Sequence, residues 1–65
     1  MATSRDIIKR LHEDGWIEAR QKGSHKQFKH PEKPGLVTLP HPAQDIPKGT
    51  LRSIHRRAGW EWPPS

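Results

Sequence analysis

The sequence predicts a small α+β domain of order α-β-β-β-α, a three-stranded antiparallel sheet with two helices on one face. Three observations predict it. Apolar residues recur at helical spacing near both ends of the chain, and each of these stretches stops at a glycine, Gly15 or Gly59. Three short strand-like stretches lie between them, joined by turns rich in Gly and Pro. Sixty-five residues leave room for one core only, so the two apolar helix stripes have to share one sheet face.

The first helix is expected over residues 4–14. Thr3 or Ser4 supplies the N-cap, and Asp6 in the first turn suits the positive helix end. Ile7, Ile8 and Leu11 make a narrow apolar face, and Gly15 follows as the left-handed residue that ends it. Residues 16–20, with Trp16, Ile17 and Ala19, suit a strand, and Gln21 to Ser24 has turn chemistry. A second strand is expected over 25–30 around Phe28, then a turn from Pro31 to Gly35. Leu36-Val37-Thr38-Leu39 is the strongest strand signal in the chain. After a loop broken by Pro40 and Pro42, Pro47 fits the first turn of a second helix. Its apolar positions are Leu51, Ile54 and Ala58, and Gly59 closes it. The domain is expected to span residues 1–60, with 61–65 an irregular tail.

The charge is uneven. Lys and Arg number 12 against 7 Asp and Glu, a formal net charge of +5. Residues 1–19 carry net −1, whereas 20–33 and 48–57 each carry net +4. Two basic blocks on so small a domain point to a polyanionic partner, provided they converge; charge kept for solubility is the plainer account. Lys48, Arg52 and Arg56 recur every fourth residue and form a basic stripe on the second helix. The chain has no cysteine, which excludes a disulfide framework and a thiolate metal site. No apolar run approaches the roughly 20 residues of a membrane span, and no signal-peptide core follows Met1. The expectation is a soluble cytoplasmic protein.

Five histidines stand in the chain, and imidazole is the side chain best suited to proton transfer near neutral pH. His25 follows Lys22-Gly23-Ser24. If Phe28 points into the core, strand alternation puts His25, Gln27 and Lys29 on the open face. Metal-free RNA cleavage needs a base for the 2′-hydroxyl proton and cations for the charge gathering on the phosphate. His25 with Lys22, Lys26 or Lys29 supplies both, and Ser24 can contact a phosphate. From spacing alone, a solvated histidine beside a turn remains the leading reading. His30 and His41 each precede a proline and suit backbone capping, with assistance as an acid or phosphate ligand as the alternative. His55 reads as a half-buried packing residue and His12 as plain surface. No histidine pair has metal-motif spacing and no acidic cluster accompanies them, so neither metal nor cofactor is expected. Trp16 and Trp60 each follow a helix-ending glycine and suit the core ends, with stacking on RNA bases as the alternative; Trp62 is open.

Several stretches together resemble the HicA toxins of HicA–HicB toxin–antitoxin systems. They are Asp14-Gly15-Trp16, Gly23-Ser24-His25 with Phe28, His30-Pro31, Val37 to Pro42, Asp45-Ile46-Pro47, Gly49 to Ile54, and Ala58-Gly59. The resemblance spans roughly residues 4–60 in the family's order. It implies a fold like that of double-stranded RNA-binding domains and a metal-independent mRNA interferase, a ribonuclease that arrests translation. It also implies His25 as the catalytic histidine and a cognate HicB-type antitoxin as partner. Separately from the resemblance, the toxin alone is expected to be monomeric. The RNA contacts expected around His25 are Lys22, Ser24, Lys26, Lys29, Lys48, Arg52 and Arg56. Two places depart from the family's usual pattern: members often carry an aliphatic residue at the position of His55, and the ending from Glu61 to Ser65 is unlike theirs. Two rival functions fit the basic blocks, a non-catalytic binder of double-stranded RNA and a module for an acidic protein partner.

Overall fold

The computed structural model describes residues 2–63. Its elements are α1 (Ser4–Glu13), β1 (Ile17–Lys22), β2 (His25–Lys29), β3 (Leu36–Pro40) and α2 (Lys48–Ala58), the predicted α-β-β-β-α order. The sheet is a meander in the order β1-β2-β3, antiparallel throughout. The two helices supply Ile7, Leu11, Ile54 and Ala58 to one core with Phe28, Val37 and Leu39 of the sheet. Trp16 and Ile46 close that core, and Ile8, Ala43, Leu51 and Trp60 pack around it.

The helix ends follow local chemistry. Thr3 is the N-cap of α1, its Oγ1 accepting from the Asp6 N–H at 3.1 Å. Asp14 is the C-cap, so α1 ends one residue before the expected boundary, and Gly15 turns the chain at φ +96°. A Cβ at Gly15 would stand 2.9 Å from His30 Nε2, so both backbone and space demand glycine there. Trp16 is drawn out of the strand into the core, its N–H bonded to the Leu11 carbonyl at 2.9 Å, and β1 starts at Ile17 instead. Pro47 is the N-cap of α2 rather than a residue of its first turn, and Gly59 ends α2 at φ +77°.

β1 runs on through Gln21 and Lys22, which the sequence assigns to a turn. The turn itself needs only Gly23 and Ser24, because Lys22 pairs with His25. Gly23 has φ +59°, and no residue other than glycine has positive φ among the described residues. Glycine first and a residue of negative φ second is the pattern of a type II′ hairpin turn, whose twist matches that of the flanking strands.

β1 carries a bulge between Glu18 and Arg20, which leaves Ala19 as the extra residue. The bulge inverts the strand's alternation. Glu18 opposes Phe28 and shares the helix-covered face, while Ile17, Arg20 and Lys22 oppose Lys29, Gln27 and His25. All six of these last residues therefore share the open face.

Asp14 ties the chain's distant parts together. Its Oδ2 accepts from Trp16 Nε1 at 3.1 Å, Trp60 Nε1 at 3.2 Å and Lys33 Nζ at 2.7 Å. Lys33 also donates to the Ala58 carbonyl at 2.9 Å, and Arg10 lies over the Trp60 ring, 4.1 Å from its centroid. These donors come from β1's entry, the β2–β3 turn and the end of α2. The Lys33 hydrogen bond, helped by both indoles and by the lysine's charge, holds the Asp14 carboxyl below its ordinary value against a smaller opposing effect of burial.

Candidate active site

The open sheet face is built in three rows by strand register. Lys22, His25 and Pro40 form the row beside the hairpin turn. Arg20, Gln27 and Thr38 form the middle row, and Ile17, Lys29 and Leu36 the far one. Helices cover the other face, so His25 stands exposed as the alternation predicts. Its neighbour across the strand pair is Lys22, and side chains so paired have Cβ atoms about 4.5–5.5 Å apart. Arg20, Lys22 and Lys29 share this face with no acidic residue among the strand positions of the three rows. Arg20 joins this face by regular alternation from Lys22, and the bulge before it is what turns Ile17 to the same side.

The turn that presents His25 is tied at its back. The His41 N–H donates to the Ser24 carbonyl at 2.7 Å, which joins the hairpin tip to the exit of β3. His41 is held in turn by Ser4, whose Oγ lies 2.8 Å from His41 Nδ1 and accepts from the Ala43 N–H at 2.9 Å. Ser4 is buried, and a second bond joins its own N–H to the Ala43 carbonyl at 2.9 Å. His25 thus directly follows a two-residue turn whose Ser24 carbonyl is tied to the exit of β3, which suits a group that must hold a set position.

The other histidines are used structurally. The Glu32 N–H donates to His30 Nδ1 at 2.9 Å, so Nε2 carries the hydrogen and donates to the Asp14 carbonyl at 2.8 Å. His55 is fully buried at 2% exposure, deeper than its expected half-burial. Its Nδ1 donates to the Glu61 carbonyl at 3.0 Å, and its ring meets Trp60 and Trp62 edge-on, at 5.3 and 5.1 Å between centroids. Glu61 and Trp62 of the expected tail therefore lie against α2; Pro64 and Ser65 lie outside the described residues. His12 is exposed, with its ring edge-on to Phe28 at 5.8 Å.

The structure gathers some of the predicted RNA contacts and separates others. Lys22, Ser24, His25 and Lys29 belong to one hairpin, and the three strand residues share its open face. Lys26 shares the Phe28 face and pairs with Glu18 at 2.7 Å. Lys48, Arg52 and Arg56 lie on α2, in the layer behind the sheet. Arg52 and Arg56 line a groove of about 550 Å³ with Gly49, Ser53, Trp60 and Trp62. The two basic blocks thus form separate surfaces. Among the described residues no group of three or more His, Cys, Asp or Glu could hold a metal ion. No described helix is long and apolar enough to cross a membrane.

The chain and its fold have known relatives. Residues 4–60 match the family model described as the HicA toxin of bacterial toxin–antitoxin systems. Among solved structures, the chain is similar to one in a HicA3 and HicB3 toxin–antitoxin complex. That likeness has 36% identity and a TM-score of 0.77 over 92% of this chain and 97% of the other. It is also similar to a chain in a toxin–antitoxin complex from Streptococcus pneumoniae, at 33% identity and TM-score 0.72 over 88% and 95%. No curated protein sequence matches it. A family match over most of the chain, with the same fold in relatives more than 30% identical, establishes that this protein belongs to the HicA toxin family.

Proposed function

We propose that the protein is a metal-independent endoribonuclease that cleaves mRNA in the cytoplasm and so inhibits translation, with His25 as its general base. The observation that carries this reading is the position of His25, exposed on an acid-free sheet face and paired in register with Lys22. In the proposed step His25 removes the proton of a ribose 2′-hydroxyl. The 2′-oxygen attacks the adjacent phosphorus, the bond to the 5′-oxygen breaks, and that oxygen takes up a proton from solvent. The products are a 2′,3′-cyclic phosphate and a 5′-hydroxyl. Lys22, Arg20 and Lys29 stand on the face where the phosphate's negative charge grows, and Ser24 borders it. Lys48, Arg52 and Arg56 extend RNA contact to α2. Lys26, on the other side of the sheet and paired with Glu18, makes no contact with RNA at the His25 face.

The partner proposed is a cognate HicB-type antitoxin, as in the complexes to which the chain is similar. The open face suits a protein as well as RNA. Ile17 and Leu36, 55% and 42% exposed, flank Lys29 in the far row and offer apolar area to a partner that would also cover His25. The toxin alone is proposed to be a monomer.

The test is incubation of the purified chain with end-labelled mRNA in excess chelator. Fragments carrying 2′,3′-cyclic phosphate and 5′-hydroxyl ends are expected. RNA that is bound but stays intact would favour a non-catalytic RNA-binding domain instead, and cleavage abolished by the chelator would overturn the metal-free chemistry.

A further inference from the structure

The groove behind α2 has no part in the cleavage step. Gly49, Arg52, Ser53 and Arg56 line it from one face of α2, and Trp60 and Trp62 close its far side. At about 550 Å³ it lies within the ~300–1,000 Å³ range of small-molecule sites. Neither arginine has a salt bridge or side-chain hydrogen bond among the described residues. Both indoles are held in place. Trp60 donates to Asp14 and carries Arg10 on its ring, while His55, itself pinned to the Glu61 carbonyl, meets both Trp60 and Trp62 edge-on. Both tryptophans nonetheless remain half-exposed. Fixed aromatic surface beside two guanidinium groups without acidic partners is the combination that binds single-stranded nucleic acid, through base stacking and phosphate contact.

We infer that this groove is a second RNA subsite, which takes one unpaired nucleotide of the substrate strand away from the bond cut at His25. It rests on the proposed ribonuclease reading for the identity of the strand. The base stacks on Trp62, since Arg10 already covers the Trp60 ring, and Arg52 and Arg56 hold its phosphate. Trp62 lies two residues beyond the stretch matched by the HicA family model. Glu61, between the two tryptophans, contributes its backbone carbonyl to His55 and is not among the groove's lining residues. The subsite selects bases by stacking strength, and adenine is favoured over uracil.

The test is binding of a single-stranded adenylate hexamer to the full chain carrying His25→Gln, which keeps the probe whole. Tryptophan fluorescence is expected to be quenched on binding. Trp62→Ala is expected to weaken binding roughly tenfold, in line with the loss of one stacked base, while Trp62→Phe stays within about threefold of the parent. A hexamer with abasic sugars is expected to bind the parent and Trp62→Ala alike. Thermal melting of each variant identifies any loss of fold, and Trp62→Phe repeats the comparison with an aromatic ring kept in place. Equal affinity of Trp62→Ala and parent for adenylate, in folded proteins, would overturn the subsite. Polyglutamate competing as well as the hexamer, and losing affinity equally in Trp62→Ala, would assign the groove to an acidic protein segment and overturn it too. The subsite and the nuclease reading fail separately: hexamer binding that depends on Trp62 in a chain that leaves mRNA intact removes only the nuclease.

Discussion

Replacing Asp14 with alanine removes one oxygen that three donors share, and the structure sets the size of the loss. Trp16 is almost fully buried, so its indole N–H loses its partner where water cannot easily replace it. An unsatisfied buried donor costs about 1–3 kcal/mol. The Trp60 indole is half-buried and costs less. The Lys33–Asp14 pair is about one-third exposed on both sides, so solvent screening limits it to ~1 kcal/mol despite its 2.7 Å length. Together these give about 2–4 kcal/mol. For a domain of this size each kcal/mol moves the melting temperature by roughly 4–8 °C, so Asp14→Ala should melt about 8–32 °C lower at pH 7. The pH dependence has a definite sign. The folded carboxyl is held below its ordinary value, so its stabilisation is complete above the ordinary carboxyl value and fades as pH falls through the folded one. The gap between parent and Asp14→Asn should therefore be widest at neutral pH and narrow in acid. Circular dichroism melts from pH 2.5 to 7 measure both effects. An Asp14→Ala protein melting within about 2 °C of the parent at pH 7, or a parent–Asn gap that does not change with pH, would mean that the Asp14 carboxylate does not hold these segments together.

Two further predictions concern the backbone and the open face. Gly15→Ala puts a Cβ 2.9 Å from His30 Nε2 at φ +96° and should cost about 1–3 kcal/mol, read by denaturant unfolding; a neutral result would mean that His30 can move aside without loss. Lys22→Ala combined with Lys29→Ala removes two of the three cations on the His25 face and should flatten the salt dependence of RNA binding by roughly two counterions; an unchanged salt slope would place the RNA elsewhere.

The sequence already shows the elements, because each rests on local signals. Ile7 and Leu11 are one helical turn apart, and Val37 and Leu39 alternate with Leu36 and Thr38. The exposure of His25 was legible for the same reason, since Phe28 fixes the strand's parity. That parity also assigns Lys26 to the far side, and a reading by charge block alone overlooks it. Arg20 is hidden as long as Gln21 to Ser24 is read as the turn, and the bulge at Ala19 that brings Ile17 to its side is not announced by local pattern. The hub at Asp14 joins side chains as far apart as Trp16 and Trp60, and only the folded chain brings them to one oxygen. The placement of Trp62 was equally illegible, because the Glu61 backbone, and no side-chain pattern, anchors that segment to His55.

The separation of the basic blocks follows from layering. Hairpin and α2 are both basic, but α2 packs on the core face of the sheet while His25 stands on the other. Under the proposed ribonuclease function, the hairpin surface is the one to position the reacting phosphate, and the α2 surface the one to hold the strand at a distance. Such division lets remote binding orient the reacting group, which is how a small enzyme with few residues near the scissile bond gains rate.

The most direct measurement is the single-turnover rate of RNA cleavage by His25→Ala beside the parent, with both proteins shown to be folded by their melting curves. His25 is exposed and begins its strand, so the substitution should leave the fold intact. Loss of a general base predicts a rate at least about 100-fold lower, with RNA affinity close to the parent's. A folded His25→Ala protein that cuts at the parental rate would contradict the account.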